Sequence, residues 1–158
     1  MTHLIPTRRS LITGGASLAA SAGFLKLSLV PAQAKPASMA VAIEKILQGA
    51  KPKPGRITID LPPLVENGGT VPMGISVESP MTAADHVKAI HVFNEKNPQP
   101  QVISANFSPR SGRAELKTRV RLADTQNIVA LAQMSDGSWF TADAHVIVTI
   151  AACLEDLP

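Results

Sequence analysis

At 158 residues, 45% of them hydrophobic and 17% charged, the chain suits a single globular domain with a sizeable core, and its composition excludes a disordered or collagen-like polymer. The formal net charge of +3 traces to the first 34 residues, which hold Arg8, Arg9 and Lys26 and no acid; the remainder is balanced, which removes the charge argument for nucleic-acid binding. With four phenylalanines, one tryptophan and no tyrosine, the core must rest on Val, Ile, Leu, Ala and Met.

Residues 1–34 read as an export signal. Thr7-Arg8-Arg9-Ser10-Leu11-Ile12 places paired arginines ahead of a moderately apolar stretch, and Ala32-Gln33-Ala34 supplies a small-residue cleavage site. The arginine pair indicates the bacterial Tat route, with a Sec signal as the alternative. A retained anchor is disfavoured, because a spanning helix needs about 20 apolar residues. The processed chain is expected in the periplasm and off the membrane.

Beyond the signal, Ser38 caps an expected helix over Met39 to Gln48. Met39, Ala42, Ile43, Ile46 and Leu47 follow the spacing of one buried face, and Gly49, Pro52 and Pro54 end it. From Gly55 onward the period becomes two. Ile57-Ile59-Leu61, Val71-Met73-Ile75-Val77 and Leu116-Thr118-Val120-Leu122 alternate with polar residues, as strands with one wet face do. Further strands are expected at 87–93, 101–107, 127–134 and 138–150. Asn67-Gly68-Gly69, Asn97-Pro98, Ser111-Gly112 and Asp136-Gly137 punctuate them, the last being the strongest hairpin signal. About seven short strands without long helices between them point to an all-β fold, an immunoglobulin-like antiparallel β-sandwich over residues 35–150 with a short N-terminal helix. A barrel is the alternative.

Residues 151–158 form a separate C-terminal arm holding Cys153, the single cysteine. Exported proteins usually pair their thiols, so an unpaired one just past the last strand points to a reactive sulfur or an intermolecular bond. A buried cysteine serving as a small hydrophobe is the structural alternative. A disulfide-linked self-dimer is the expected side reaction of an exposed lone thiol.

Other chemistry finds less support. His86, His91 and His145 show no ligand spacing, and His86 and His91 would face opposite ways on one strand. Asp143, His145 and Cys153 suggest a hydrolase triad, but eight extended residues between His145 and Cys153 span about 26 Å, far beyond hydrogen-bond reach. Lys117, Arg119 and Arg121 form a basic stripe, either a solvated face or a docking face for an acidic partner or anion. Of Trp139 and Phe140, on opposite faces of one strand, one is expected in the core and the other as an interface anchor. No metal or cofactor is implied.

Several motifs carry a family likeness. Glu66-Asn67-Gly68-Gly69-Thr70-Val71-Pro72, Val77-Glu78-Ser79-Pro80-Met81-Thr82 and Asn97-Pro98-Gln99-Pro100 are followed by Thr118-Arg119-Val120-Arg121-Leu122-Ala123. Val129-Ala130-Leu131-Ala132-Gln133-Met134-Ser135-Asp136-Gly137-Ser138 comes next, then Val148-Thr149-Ile150 leading into Cys153. From about Ser38 to Cys153 the chain resembles the SoxY family, sulfur carriers of bacterial thiosulfate oxidation. The resemblance implies a non-enzymatic carrier paired with a SoxZ-like sandwich subunit. It further implies that Cys153 holds a sulfur intermediate covalently, loaded by the SoxXA cytochrome and processed by the SoxB hydrolase and the SoxCD dehydrogenase. The family tail is Gly-Gly-Cys-Gly-Gly; here Ala151, Ala152 and Leu154 flank the cysteine, followed by Glu155 and Asp156. Glycines make an arm thin and pliant, whereas alanines and leucine restrict it. A divergent carrier, or an assembly subunit outside the standard cycle, is therefore the alternative function.

Overall fold

The computed structural model describes residues 38–150; the expectations for the signal segment 1–34 and the arm 151–158 lie outside them. Within this stretch the period-3.6 pattern makes one helix, α1 (Met39–Leu47). Ser38 Oγ accepts a hydrogen bond from the Val41 amide at 3.4 Å, satisfying one of the free amides of the first turn. Gln48 takes a left-handed conformation (φ 50°) and Gly49 follows at φ 86°, which stops the helix.

Nine strands follow: β1 (Lys53–Pro54), β2 (Ile57–Asp60), β3 (Leu64–Asn67), β4 (Val71–Val77), β5 (Val87–Asn94), β6 (Gln101–Asn106), β7 (Ala114–Val120), β8 (Gln126–Met134) and β9 (Trp139–Ile150). They form two sheets. The smaller is β2-β4-β7, antiparallel throughout. The larger is an antiparallel run β6-β5-β8-β9. Two short strands lie parallel to β9 on its far edge, β1 beside Phe140 and Thr141, β3 beside Ile147 to Ile150. The expected sandwich is thus present, with strands β1 and β3 as additions that period-two alternation did not mark.

The core lies where the inner faces meet. Val71, Met73, Ile75 and Val77 from β4 face Ile90 and Val92 from β5 and Ile128, Ala130, Ala132 and Met134 from β8; all are buried. A bulge between Val87 and Ala89 shifts the alternation by one, so Val87 and Ile90 both point inward. Residues of the opposite phase, Phe93, Leu131 and Trp139, are buried on the outer face beneath α1, where Ala42, Ile43, Ile46 and Leu47 cover them. The order of layers is helix, large sheet, small sheet.

The predicted hairpin at Asp136-Gly137 joins β8 to β9. Gly137 takes φ 85°, and Asp136 Oδ1 accepts from the Ser138 amide (2.8 Å) and hydroxyl (2.6 Å). These bonds hold the Asp136 carboxyl below its ordinary range.

Candidate functional site: the end of the last strand

Cys153, with its neighbours Ala151, Ala152 and Leu154, lies outside the described residues. The chain that carries it is described up to Ile150, and the structure defines how that root is held. β9 is the longest strand, and its last residues are gripped from both sides. On one edge β3 runs parallel to it, with Leu64 beside Ile147, Val65 beside Val148 and Asn67 beside Ile150. The Thr149 hydroxyl donates to the Glu66 carbonyl at 3.1 Å, and the Gly68 amide donates to the Ile150 carbonyl at 3.0 Å.

On the other edge β8 runs out at Gln126, paired with Val146. Beyond that point a side chain takes over. Thr125 Oγ1 accepts from the Val148 amide (3.0 Å) and donates to the Val148 carbonyl (3.4 Å), supplying both bonds that a further strand residue would have made.

The turn that feeds the grip is shaped by Asn67, whose Oδ1 accepts from the Gly69 amide at 2.8 Å. A Cβ on Gly69 would sit 3.0 Å from that oxygen, so a larger residue there would push the Asn67 side chain out of this turn bond by a few tenths of an ångström. Gly68 then reaches both sheets: its amide bonds Ile150 in the large sheet, and its carbonyl accepts from Leu122 just past the small sheet at 2.8 Å.

Beneath the root an amide network fixes the surrounding loops. Gln126, 1% exposed, accepts from the amides of Glu95 (3.1 Å) and Lys96 (2.9 Å) and donates to Asn97 Oδ1 (3.0 Å). Asn97 Oδ1 also accepts from the Ala123 amide (3.0 Å), while its Nδ2 donates to the Arg121 carbonyl (2.8 Å). These bonds tie the loop after β5 to the connection between β7 and β8 and to the first residue of β8. The root is a rigid mount for whatever follows Ile150.

The other candidates are separated from the root or spoken for. His86 precedes β5, as the expected strand over 87–93 has it, with its Nδ1 3.1 Å from the Thr82 carbonyl, so it does not share a strand with His91. His91 stands on the outer face of β5, with Nδ1 2.6 Å from Ser104 Oγ and its ring 5.9 Å from Trp139; partial burial lowers its pKa. Asp143 and His145 share the outer face of β9, but the strand stays extended through Ile150, and His145 Nδ1 is bonded to Asn127 Oδ1 at 2.9 Å. Among the described residues no three His, Cys, Asp or Glu side chains gather as a metal site would need.

The interface-anchor reading of Trp139 and Phe140 needs correction. Trp139 is buried under α1, while Phe140 is half-buried against the main core with the Arg56 guanidinium 5.1 Å above its ring. Both faces are therefore occupied from within the chain. Lys117, Arg119 and Arg121 are all exposed, as a stripe requires.

The family model described as "Sulfur oxidation protein SoxY" matches residues 43–153, ending on Cys153. Among solved structures, the sulfur carrier protein SoxY from Chlorobium limicola f thiosulfatophilum is 29% identical, with a TM-score of 0.61 over 72% of this chain and 97% of that one. A superoxide reductase (neelaredoxin) from Ignicoccus hospitalis is 16% identical, with a TM-score of 0.54 over 60% of this chain and 80% of its own. A putative superoxide reductase from Thermotoga maritima is 20% identical, with a TM-score of 0.51 over 62% and 87%. These last two likenesses concern the fold alone. No curated protein matches the chain.

Proposed function

The chain belongs to the SoxY family of sulfur oxidation proteins, whose members are carriers and not enzymes, and from that premise we propose that it carries a sulfur intermediate covalently on Cys153. The observation that carries this reading is the combination of a family match running to Cys153 with a strand end mounted rigidly three residues before it. A carrier needs a fixed root and a projecting reactive atom, so that one partner after another can meet the cargo.

Loading thiosulfate onto a thiol forms one sulfur–sulfur bond, releases the thiol proton and removes two electrons. The acceptor is proposed to be a SoxXA-type cytochrome. A SoxB-type hydrolase then releases the sulfonate, and a SoxCD-type dehydrogenase oxidises the sulfur left on the cysteine. A SoxZ-like subunit is the proposed stable partner. The exposed apolar pair Leu64 and Ile147, side by side at the sheet edge, supports pairing with another protein surface. The proposed site of action is the periplasm, reached by the twin-arginine route on the reading of residues 1–34.

Intact mass of the protein isolated without reductant from cells oxidising thiosulfate tests the assignment. A sulfonate, thiosulfonate or polysulfide increment that disappears in Cys153→Ala is expected. A bare thiol in the same cells overturns it in favour of an assembly subunit, an alternative motivated by the alanine- and leucine-flanked cysteine.

A further inference from the structure

The open sheet edges of this sandwich are not alike. β7, at one edge of the small sheet, carries Glu115, Lys117 and Arg119 exposed along its length, and β2, at the other, ends at Asp60 before Pro62 and Pro63. β1 and β3, beside β9, are short and contain or follow prolines. Charges, prolines and short strands are the devices that keep an open edge from pairing with another chain. β6 (Gln101–Asn106) has none of them, although it runs for six residues with only β5 beside it. It lies within Asn97 to Ser108, the longest uncharged run among the described residues.

The ladder shows which backbone groups stand open. The Phe107 amide donates to the Lys88 carbonyl at 2.8 Å, and Ala105 and Ile103 lie beside Ile90 and Val92. Antiparallel strands turn alternate residues toward one neighbour. Ile103, Ala105 and Phe107 therefore bond β5, while Ser104 and Asn106 turn their amides and carbonyls outward, where no described group meets them. We propose that β6 pairs antiparallel with β6 of a second copy, about a two-fold axis through Ser104. Ser104 then exchanges both backbone bonds with its own counterpart. Ile103 of each copy stands beside Ala105 of the other, on the face that Ile90 and Val92 turn to the core. The two large sheets become one continuous sheet. Charge selects a second copy as the occupant. Two neutral edges meet with no like charges opposed, whereas β7 paired with itself about Lys117 would set lysine against lysine. A foreign strand finds no charge on β6 to fix its direction or register; self-pairing takes both from the two-fold and from the alternation of inward and outward side chains. The pairing involves neither Cys153 nor its cargo, so its failure and that of the carrier reading are separate results.

Sedimentation equilibrium of the purified protein in reductant, where no disulfide forms, reads the association. One strand edge buries less than the roughly 1,200 Å² of a stable interface, so a reversible dimer that grows with concentration is expected. Amide hydrogen exchange at Ser104 and Asn106 should slow several-fold as the dimer fills. Ser104→Lys and Ser104→Glu, each checked for an unchanged circular dichroism spectrum, should each stay monomeric, because the axis sets like against like. Mixed in equal parts they should associate, with opposite charges meeting on the axis. A protein that stays monomeric at every concentration, a dimer indifferent to Ser104→Lys, or protection that rises at Leu64 and Ile147 instead overturns the proposal.

Discussion

The Thr125 hydroxyl makes both of its bonds to the backbone of Val148, accepting from the amide and donating to the carbonyl. Valine has nearly the same shape and neither bond, so Thr125→Val leaves two backbone groups of a largely buried residue unpaired. The expected loss is about 1–3 kcal/mol, read as a lower urea midpoint with an unchanged slope. His91 belongs to the same scale. Burial lowers its pKa from the ordinary 6.5, so the unfolded chain binds a proton more readily than the folded one. Stability should therefore be unaffected by this group above 6.5 and fall as the pH drops below it, since the unfolded state then holds more protons. In His91→Gln, stability measured against pH should lose that part of the acid slope.

At the scale of elements, α1 has nine residues, too few for a helix to persist in water unaided. It persists by covering Phe93, Leu131 and Trp139. Ile43→Ser should loosen it. The expected signs are a red shift in emission from Trp139, the sole tryptophan, and a loss of about 1–3 kcal/mol with the sheet spectrum intact. Elements built on local periodicity were readable from the chain: α1 from its i, i+3, i+4 face, and β4, β7 and the β8–β9 hairpin from alternation and Asp136-Gly137. β1 and β3 were not. Lys53-Pro54 is too short for any pattern, and Leu64-Val65-Glu66-Asn67 does not alternate; both are strands only because β9 offers them an edge. The candidate site divides in the same way. Cys153 was conspicuous as the single cysteine, whereas the grip on its root joins Thr149 to Val65 and Glu66 and Thr125 to Val148, pairs too distant in the chain for local pattern to reveal.

For the whole molecule, β9 is the strand on which the large sheet depends. It pairs with β8 just before it, but also with β1 and β3 near the start of the domain, Lys53 with Phe140 and Leu64 with Ile147. Deleting residues 146–158 removes Val146 and Val148 from the core along with the partner of β3. Such a chain should show no cooperative thermal transition by circular dichroism. Deleting 151–158 alone should leave the melting temperature within a degree or two of the parent, because no described contact of the core is lost.

The parallel pairing of β3 with β9 also sets an order of events in the life of the chain. The most distant contacts close last, because a long loop must be restrained before they repay its entropy. On a ribosome, β3 emerges well before the residues of β9 that it pairs with. The residues that follow Ile150, Cys153 among them, thus leave the ribosome only when the large sheet has all its strands. A thiol placed there is presented on a chain able to complete its fold, and an interrupted translation product lacks it altogether.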